Sequence, residues 1–159
     1  MDYSFIIRRA TENDASSIKE VMSESFKKYM LDTGMHGSME ALDESIEDIT
    51  ADIRDKFVYI AFVDEHPVGS IRISLNPNKT AYISRFGVRS GYRSIGIGRS
   101  FMNLSDKLLK SQGIQRVMLH TASKYTELIR FYYGCGFYIE STSTDRGYIR
   151  ARLIKDYTN

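Results

Sequence analysis

The chain has 159 residues and a net charge of +2, so it fits a single domain, predicted over residues 1–159, and nucleic acid is excluded as a general partner. Its longest apolar run, Phe57 to Val63, is too short to span a bilayer, and its one cysteine, Cys135, excludes an internal disulfide. Three scattered histidines give no metal-ligand spacing. We therefore expect a cytoplasmic protein that binds neither a metal nor a membrane.

The first segment predicts a strand, a helix and a loop. Tyr3 to Arg9 is typical of a strand, and Thr11 with Asp14 three residues later has the pattern of a capping box. Apolar residues then recur every three or four positions, which predicts a helix to about Met30. These residues are Ala15, Ile18, Met22, Phe26 and Tyr29. Two glycines between Asp32 and Ser38 predict a loop after the helix.

A second helix is predicted from Glu40 to Arg54, because four apolar residues share one helical face. They are Leu42, Ile46, Ile49 and Ile53. Seven acidic residues between Glu40 and Asp55 occupy the other face, against the single base Arg54. Such a face either attracts a cation or is simply solvated.

The middle of the chain predicts an antiparallel meander followed by a crossover. Phe57 to Val63 is almost wholly apolar, and turn residues separate it from two further strands, Val68 to Leu75 and Ala81 to Val88. A helix from Ser100 to Gln112 and a strand from Arg116 to Thr121 follow, so strands four and five are expected to be parallel. The last elements are a short helix, Lys124 to Tyr133, and two strands, Phe137 to Ser141 and Tyr148 to Leu153.

Between strand four and the next helix lies the segment Arg93-Ser94-Ile95-Gly96-Ile97-Gly98. Glycines at a strand-to-helix turn leave backbone N–H groups accessible at a helix N-terminus, an arrangement that binds phosphate. Taken alone, two glycines in a turn more often mark an ordinary loop. Four arginines without an acid surround the segment and favour an anion. They are Arg85, Arg89, Arg93 and Arg99.

Three motifs occur in order along nearly the whole chain. They are Ile7-Arg8-Arg9-Ala10-Thr11 leading to Asp14, Val88 followed by Arg93-x-x-Gly96-x-Gly98, and Phe131-Tyr132 leading to Gly136-Phe137. In this order they resemble the GNAT family of CoA-dependent N-acetyltransferases. The resemblance implies an α/β fold: a mixed, largely antiparallel sheet of about seven strands with a V-shaped splay between strands four and five, flanked by four helices.

The same resemblance implies that acetyl-CoA, as co-substrate, lies in the cleft between strands four and five. The pantetheine arm would bond to the backbone of strand four where that strand bulges, and the pyrophosphate would bond to the amides of the glycine segment. Glycines at 96 and 98 would allow the backbone to approach it closely. The implied acetyl-CoA-binding residues are Phe86, Gly87, Val88, Arg93, Ser94, Ile95, Gly96, Ile97, Gly98, Arg99, Tyr125 and Tyr132.

The chemistry implied is direct attack of a neutral amine on the thioester in a ternary complex, without a covalent enzyme intermediate. The backbone N–H of Val88 would stabilise the oxyanion, and the Tyr132 hydroxyl would donate to the leaving sulfur. From periodicity alone Tyr132 is a core aromatic, because it shares helical spacing with Ile129 and Tyr133. Its position in the motif favours the catalytic role, and Tyr133 is the better candidate for a core or lid residue.

The general base stays unassigned. Many relatives carry a glutamate on strand four, whereas this chain has no carboxylate between Ala81 and Gly98. His120 has a suitable pKa range, although a lone histidine on a strand is more often a packed or surface residue. Glu140 and a water chain to backbone groups are the other options. Cys135 has no neighbouring histidine or acid and is interpreted as a small buried residue. Tyr125 stands where relatives often have an asparagine that binds the pantetheine, and it offers one hydroxyl bond instead.

We expect the acceptor to be a small cationic amine or a peptide N-terminus, because the acidic helix from Glu40 to Asp55 belongs to the acceptor side in this family. The alternative is a catalytically weak CoA-binding sensor or regulatory module, which the missing carboxylate favours and Tyr132 disfavours. The expected partners are acetyl-CoA and the amine, with a homodimer left open.

Overall fold

The computed structural model describes residues 4–35 and 40–157. Its helices and strands are β1 (Ile6–Arg9), α1 (Ala15–Thr33), α2 (Glu40–Asp43), α3 (Ile46–Asp55), β2 (Phe57–Val63), β3 (His66–Asn76), β4 (Thr80–Val88), α4 (Ile97–Ser111), β5 (Arg116–Ala122), α5 (Thr126–Gly134), β6 (Tyr138–Ser143) and β7 (Arg150–Asp156). Tyr3 of the predicted first strand and residues 36–38 of the predicted loop lie outside the described residues. No helix within those residues is both long and apolar enough to cross a bilayer.

The strands form one seven-stranded sheet in the order β1-β2-β3-β4-β5-β7-β6. Every neighbouring pair is antiparallel except β4 with β5, as the sequence predicted. The parallel pairing of β4 with β5 runs from Thr80 opposite Arg116 to Tyr82 opposite Met118 and stops there, although both strands continue. The two strands therefore diverge beyond Tyr82, which confirms the predicted V-shaped splay.

A bulge in β4 accompanies this divergence. The β3–β4 register shifts between Ser70 and Arg72, so that Arg85 and Phe86 together stand opposite Ile71. Arg85 has a φ of 50°, in the left-handed region that costs a non-glycine residue about 1 kcal/mol. Because a bulge bends its strand and increases the local twist, the end of β4 turns away from β5 and a cleft opens between them.

Different helices cover the two faces of the sheet. One face packs against α4 and α5 through residues such as Phe101 and Tyr132. The other face packs against α1 and α3 through Ile18 and Ile49. Adjacent β2 residues divide between the two cores, with Ala61 in the first and Ile60 in the second, as alternation along a strand requires. Full burial of one such aliphatic side chain contributes about 1.5–3 kcal/mol to stability.

The prediction of one acidic helix is wrong, because two helices replace it. α2 ends at Asp43, and Ser45 caps the start of α3. The Ser45 hydroxyl accepts from the Asp48 N–H at 3.0 Å, while the Asp48 carboxylate accepts from the Ser45 N–H at 3.0 Å. This capping box satisfies helix N–H groups inside the predicted helix. The described residues therefore contain five α-helices, where four were expected.

Candidate active site

A cavity of about 230 Å³ lies beside the diverging end of β4, enclosed by α1, the start of α4 and α5. Six of the residues predicted to bind acetyl-CoA line it: Phe86, Gly87, Val88, Arg93, Gly98 and Tyr125. The other predicted residues lie outside its lining: Ser94, Ile95, Gly96, Ile97, Arg99 and Tyr132. The splay, the end of β4 and the glycine segment thus meet at one place, as the sequence motifs implied.

The main chain of Val88 faces the cleft. The Arg89 N–H donates to the Val68 carbonyl of β3 at 2.8 Å. Since the main-chain groups of successive strand residues point to opposite sides, the Val88 N–H points away from β3. On that side β5 pairs with β4 only as far as Tyr82, so it does not reach Val88. The Val88 carbonyl accepts from Arg93 Nε at 3.1 Å, and the N–H is directed into the gap.

The two glycines of the Arg93–Gly98 segment have different roles. Gly96 has a φ of 94° and precedes α4, and nothing lies within 4 Å of the position that its Cβ would take. The predicted need for glycine at 96 is thus one of backbone conformation. A Cβ at Gly98 would lie 3.3 Å from Phe131 and 3.4 Å from Phe86. Gly98 therefore accommodates two aromatic rings, and its role in clearing a path for phosphate stays a prediction.

The predicted arginine cluster is divided between several partners. Arg89 pairs with Glu24 and Glu20 of α1, and Arg85 Nε lies 3.7 Å from Glu44 Oε2. Arg99 reaches the Gly134 carbonyl at 3.4 Å. Of the four arginines, Arg93 and Arg99 flank the glycine segment, whereas Arg85 and Arg89 are engaged by acids. The prediction that all four serve one anion is therefore wrong.

Tyr132 is buried and packs against three rings, Phe86, Phe131 and Phe137. Burial raises the pKa of its phenol, and Tyr29, Cys135 and Tyr82 add to the shift. The phenol therefore stays protonated at physiological pH and is able to donate a hydrogen bond. Tyr132 thus has both the core position that periodicity predicts and the protonated hydroxyl that a hydrogen-bond donor needs.

Two neighbours of Tyr132 have structural roles. Tyr133 is 49% exposed, and its hydroxyl accepts from the Ile139 N–H at 3.2 Å, so the expectation of a core residue is wrong. Cys135 is buried, and burial raises the pKa of its thiol. A thiol held protonated is a weak nucleophile, in agreement with the prediction of a small buried residue.

Tyr125 and Tyr29 connect α1 to the far side of the cleft. The Tyr125 hydroxyl donates to Asp32 at 2.7 Å, and its ring lies 5.6 Å from that of Tyr29. The Tyr29 hydroxyl accepts from the Ala122 N–H of β5 at 2.7 Å, a group that β4 does not reach. Helical spacing placed Tyr29 on the apolar face of α1 but carried no signal for this bond. The hydroxyl that was expected to meet the pantetheine is already bonded to Asp32.

Of the base candidates, His120 lies near the splay and Glu140 is held elsewhere. His120 Nδ1 is 2.6 Å from the Tyr82 hydroxyl, just beyond the last parallel pair. Burial lowers the pKa of His120 below its ordinary value of 6.5, and nearby arginines lower it further. Glu140 is 3.7 Å from Arg152 on the exposed edge strand β6. Among residues 4–35 and 40–157, no three His, Cys, Asp or Glu side chains gather as metal ligands.

A buried arginine explains much of the acidic surface. The Arg72 side chain is fully buried, and its two terminal nitrogens donate to both oxygens of Glu44 at 2.7 Å. Arg72 also donates to Asp52 at 2.8 Å. The exposed Asp48 caps α3, so Arg72 and the helix cap together engage three of the seven acids. Alternation with Ile71 and Ile73 predicted only a strand here, and nothing in the sequence marked Arg72 as buried.

Comparison with known proteins gives a consistent result. A sequence model of the acetyltransferase (GNAT) family matches residues 19–137. The chain is 24% identical over 140 residues to a streptothricin acetyltransferase of Escherichia coli, covering 86% of this chain and 80% of that protein. It is similar to the PaiA N-acetyltransferase of Thermoplasma acidophilum in complex with coenzyme A, at 25% identity and a TM-score of 0.84, over 97% of this chain and 99% of that chain. It also resembles a probable acetyltransferase of Staphylococcus epidermidis at 18% identity and a TM-score of 0.80, over 98% of this chain and 100% of that chain.

The fold, the splayed cleft and these similarities define an N-acetyltransferase with acetyl-CoA as co-substrate. The chain belongs to the GNAT family, since the family model matches about three quarters of its length. The family and the fold predicted from the three motifs are thereby confirmed.

Proposed function

We propose that the chain transfers an acetyl group from acetyl-CoA to a primary amine by direct attack in a ternary complex. The observation that carries this proposal is that the end of β4 has no partner strand on its β5 side, where the Val88 N–H points into the gap. An N–H fixed in a strand needs no reorganisation to stabilise an oxyanion. Family membership supports acetyl transfer, and the cleft supports the place where it occurs.

Acetyl-CoA enters this proposal through main-chain contacts. The pantetheine arm lies along Phe86 to Val88 like an added strand, and the 230 Å³ cavity beside them receives it. The pyrophosphate meets the amides from Ser94 to Arg99, where α4 begins and its N–H groups and helix dipole favour negative charge. Ile97 is fully buried, so its contribution is limited to its main chain. Arg93 and Arg99 supply positive charge at the two ends of the segment.

The acyl transfer step follows from these positions. The amine nitrogen bonds to the thioester carbon, the carbonyl oxygen gains negative charge, and the Val88 N–H donates to it. The carbon–sulfur bond then breaks, and the Tyr132 hydroxyl donates to the departing thiolate. Because a thiol has a pKa of about 8.5, the thiolate leaves readily without help, so this donation is worth roughly 10- to 10²-fold in rate.

The Tyr82–His120 pair is the proton acceptor in this scheme. The 2.6 Å separation between the Tyr82 hydroxyl and His120 Nδ1 permits a relay in which Tyr82 passes its proton to Nδ1 as it receives one from the amine nitrogen. Burial lowers the pKa of His120, so the imidazole is neutral and able to accept that proton. Glu140 is a poorer candidate, because Arg152 holds it at the exposed edge of the sheet.

The acidic residues from Glu40 to Asp55 give little support to a cationic acceptor. Glu44 and Asp52 neutralise Arg72, and Asp48 caps α3. A small cationic amine or a peptide N-terminus thus stays a prediction from family position alone. The catalytically weak CoA sensor is the alternative function, and a base at His120 would remove the main reason for it.

Acceptor-dependent thiol release from acetyl-CoA over a panel of amines tests the proposal. Tyr132→Phe should lower kcat by roughly 10- to 10²-fold with little change in the affinity for acetyl-CoA. Tyr133→Phe is the matched control, since that hydroxyl lies on the same helix but bonds to the β6 main chain. Tight CoA binding without amine-dependent thiol release would establish the sensor and refute the enzyme.

A further inference from the structure

A group of basic side chains lies on the acceptor face of the sheet. The β5–β7 register puts His120 opposite Arg152 and Ala122 opposite Arg150, so both arginines share the face that carries His120. Tyr82 reaches the same face through its bond to His120. Successive residues on one face of a strand are about 7 Å apart, so Arg150 lies within side-chain reach of the Tyr82–His120 pair.

The arginines outnumber the acids available to them. Two more, Arg85 and Arg146, approach the pair closely enough to lower the pKa of the Tyr82 phenol, although burial raises that pKa by more. Arg85 shares Glu44 with the buried Arg72, and Arg146 meets Glu40 at 3.9 Å on the surface. Glu140 on β6 lies 3.7 Å from Arg152, and Asp145, in the turn between β6 and β7, has an effect on the pKa of His120 opposite to that of the arginines.

Arg150 stands out within this group. Among the described residues it has no ion pair within 4.0 Å, whereas Arg85, Arg146 and Arg152 each have one. Its Nε, like those of Arg72 and Arg85, is buried without a hydrogen-bond partner there. A guanidinium N–H removed from water and given no acceptor is costly, so an acceptor is expected to arrive with a ligand. The planar fork of a guanidinium matches a carboxylate, which accepts two parallel N–H bonds from it.

The same charges act on the amine of the acceptor. An ammonium group placed among several guanidinium groups is destabilised relative to the free amine, because like charges disfavour the charged form. The neutral amine is the form that attacks a thioester, so this environment assists the reaction. It also opposes the binding of a polyamine, whose additional positive charges would remain.

We infer that the acceptor is an amino acid, whose carboxylate binds Arg150 and whose amine is directed to the Tyr82–His120 pair. This inference rests on the proposed acetyl transfer. The product is an N-acetyl amino acid: a nitrogen–carbon bond forms, the carbon–sulfur bond of acetyl-CoA breaks, and the amine proton passes through Tyr82 to His120.

A paired substrate panel tests the carboxylate requirement. Each common amino acid is compared with its amide and with the amine that lacks the carboxyl group, and kcat/KM is measured by thiol release. The amide is the less basic amine, so more of it is neutral near pH 7.5 and its intrinsic reactivity is favoured. At least one amino acid should nevertheless exceed its amide by roughly 10- to 10²-fold, the range for one hydrogen-bonded charged contact. Amides or simple amines that react as well as every acid would overturn the inference.

Substitutions at Arg150 test whether this residue causes the preference for a carboxylate. Arg150→Gln should raise KM for the preferred amino acid by roughly 10- to 10²-fold and leave KM for its amide nearly unchanged. Arg150→Lys should recover part of the loss, because it keeps the charge without the fork. Arg116→Gln is the matched control, since Arg116 lies at the other end of β5 and pairs with Asp156. A titration with CoA shows that each variant is folded, and equal losses for acid and amide would contradict the assignment.

A binding experiment separates this inference from the proposed function. If no amine is acetylated, amino acids and their amides are titrated calorimetrically into the protein saturated with CoA. Binding of an acid and not of its amide, lost in Arg150→Gln, would support the site even though acetyl transfer had failed. Equal binding or none would overturn the inference on its own terms.

Discussion

The two sides of the cleft are built in different ways. On the proposed acetyl-CoA side the groups assigned to binding belong to the main chain: the N–H of Val88 beside a bulge, and the amides after Gly96 at the start of α4. On the proposed acceptor side they are side chains from separate strands, with Tyr82 on β4, His120 on β5 and Arg150 on β7. The first side depends on backbone conformation, whereas the second depends on which strands become neighbours.

This difference has a consequence for substitution. A main-chain site tolerates changes of side chain as long as the backbone keeps its shape, so one fold can hold the same co-substrate in many sequences. A side-chain site changes with single substitutions, and the acceptor can change with it. Four experiments test this contrast.

The largest expected effect concerns the ion pairs of the buried Arg72. Glu44→Gln leaves the buried Arg72 with Asp52 as its remaining charged partner, and we expect a loss of about 3 kcal/mol in the free energy of unfolding. Chemical denaturation measures it, and Glu47→Gln on the exposed side of α3 is the control that should leave stability unchanged. If Glu44→Gln kept full stability and instead raised KM for cationic amines, the acids would be an acceptor site after all.

The next effect concerns the proton acceptor. His120→Gln should lower kcat/KM by about 10²-fold at neutral pH, the lower end for a lost general base. Burial and then Arg150, Arg152 and Arg146 lower the pKa of His120, so the wild-type imidazole stays neutral as the pH falls through 6.5. The acid limb of the pH–rate profile should therefore lie below pH 6.5 and disappear in His120→Gln. If the acid limb were unchanged in His120→Gln, the amine proton would pass to water and not to His120.

A smaller effect is expected at Gly96, where the need for glycine is one of backbone conformation and not of side-chain contact. Gly96→Ala places a Cβ on a residue with φ 94° and should cost about 1 kcal/mol of stability. Gly113→Ala is a matched control, because Gly113 has φ 71° and equally open surroundings but follows the opposite end of α4 from the glycine segment. Both variants should lose similar stability, and only Gly96→Ala should raise KM for acetyl-CoA. If the two variants had equal KM values for acetyl-CoA, the pyrophosphate would not bind at this turn.

The smallest effect is expected at Gly98. A Cβ there meets Phe131 and Phe86 at 3.3 and 3.4 Å, contacts that ring movements of a few tenths of an ångström relieve. Gly98→Ala should therefore change KM for acetyl-CoA by no more than about threefold, within the ±0.5 kcal/mol or so typical of mild substitutions. A large increase in KM would mean that the Cβ does obstruct the phosphate, as the motif first suggested.

The predictability of each region follows from the same contrast. The order of strands, the parallel β4–β5 pair and the position of Gly96 could be predicted, because periodicity, crossover geometry and glycine each have a local cause in the sequence. The break at Ser45 was also local, since Ser45 and Asp48 have capping-box spacing, but the long acidic pattern concealed it.

The rest of the site could not be predicted, because it depends on contacts distant in sequence. Tyr82 and His120 are 38 positions apart and meet only after β4 and β5 have paired. Arg72 alternates with isoleucines like any strand residue, and its burial depends on Glu44, 28 positions earlier. Charge counting treated those acids as a surface face because composition does not reveal which acid meets which base.

The most direct measurement is a crystal structure of the protein with a non-hydrolysable acetyl-CoA analogue. We predict the pantetheine along Phe86 to Val88, the carbonyl oxygen about 3 Å from the Val88 nitrogen, and the sulfur on the side of Tyr132. The Tyr82–His120 pair should face the opposite side of the same carbonyl group. A carbonyl oxygen bound elsewhere, or a pyrophosphate away from the start of α4, would contradict the account.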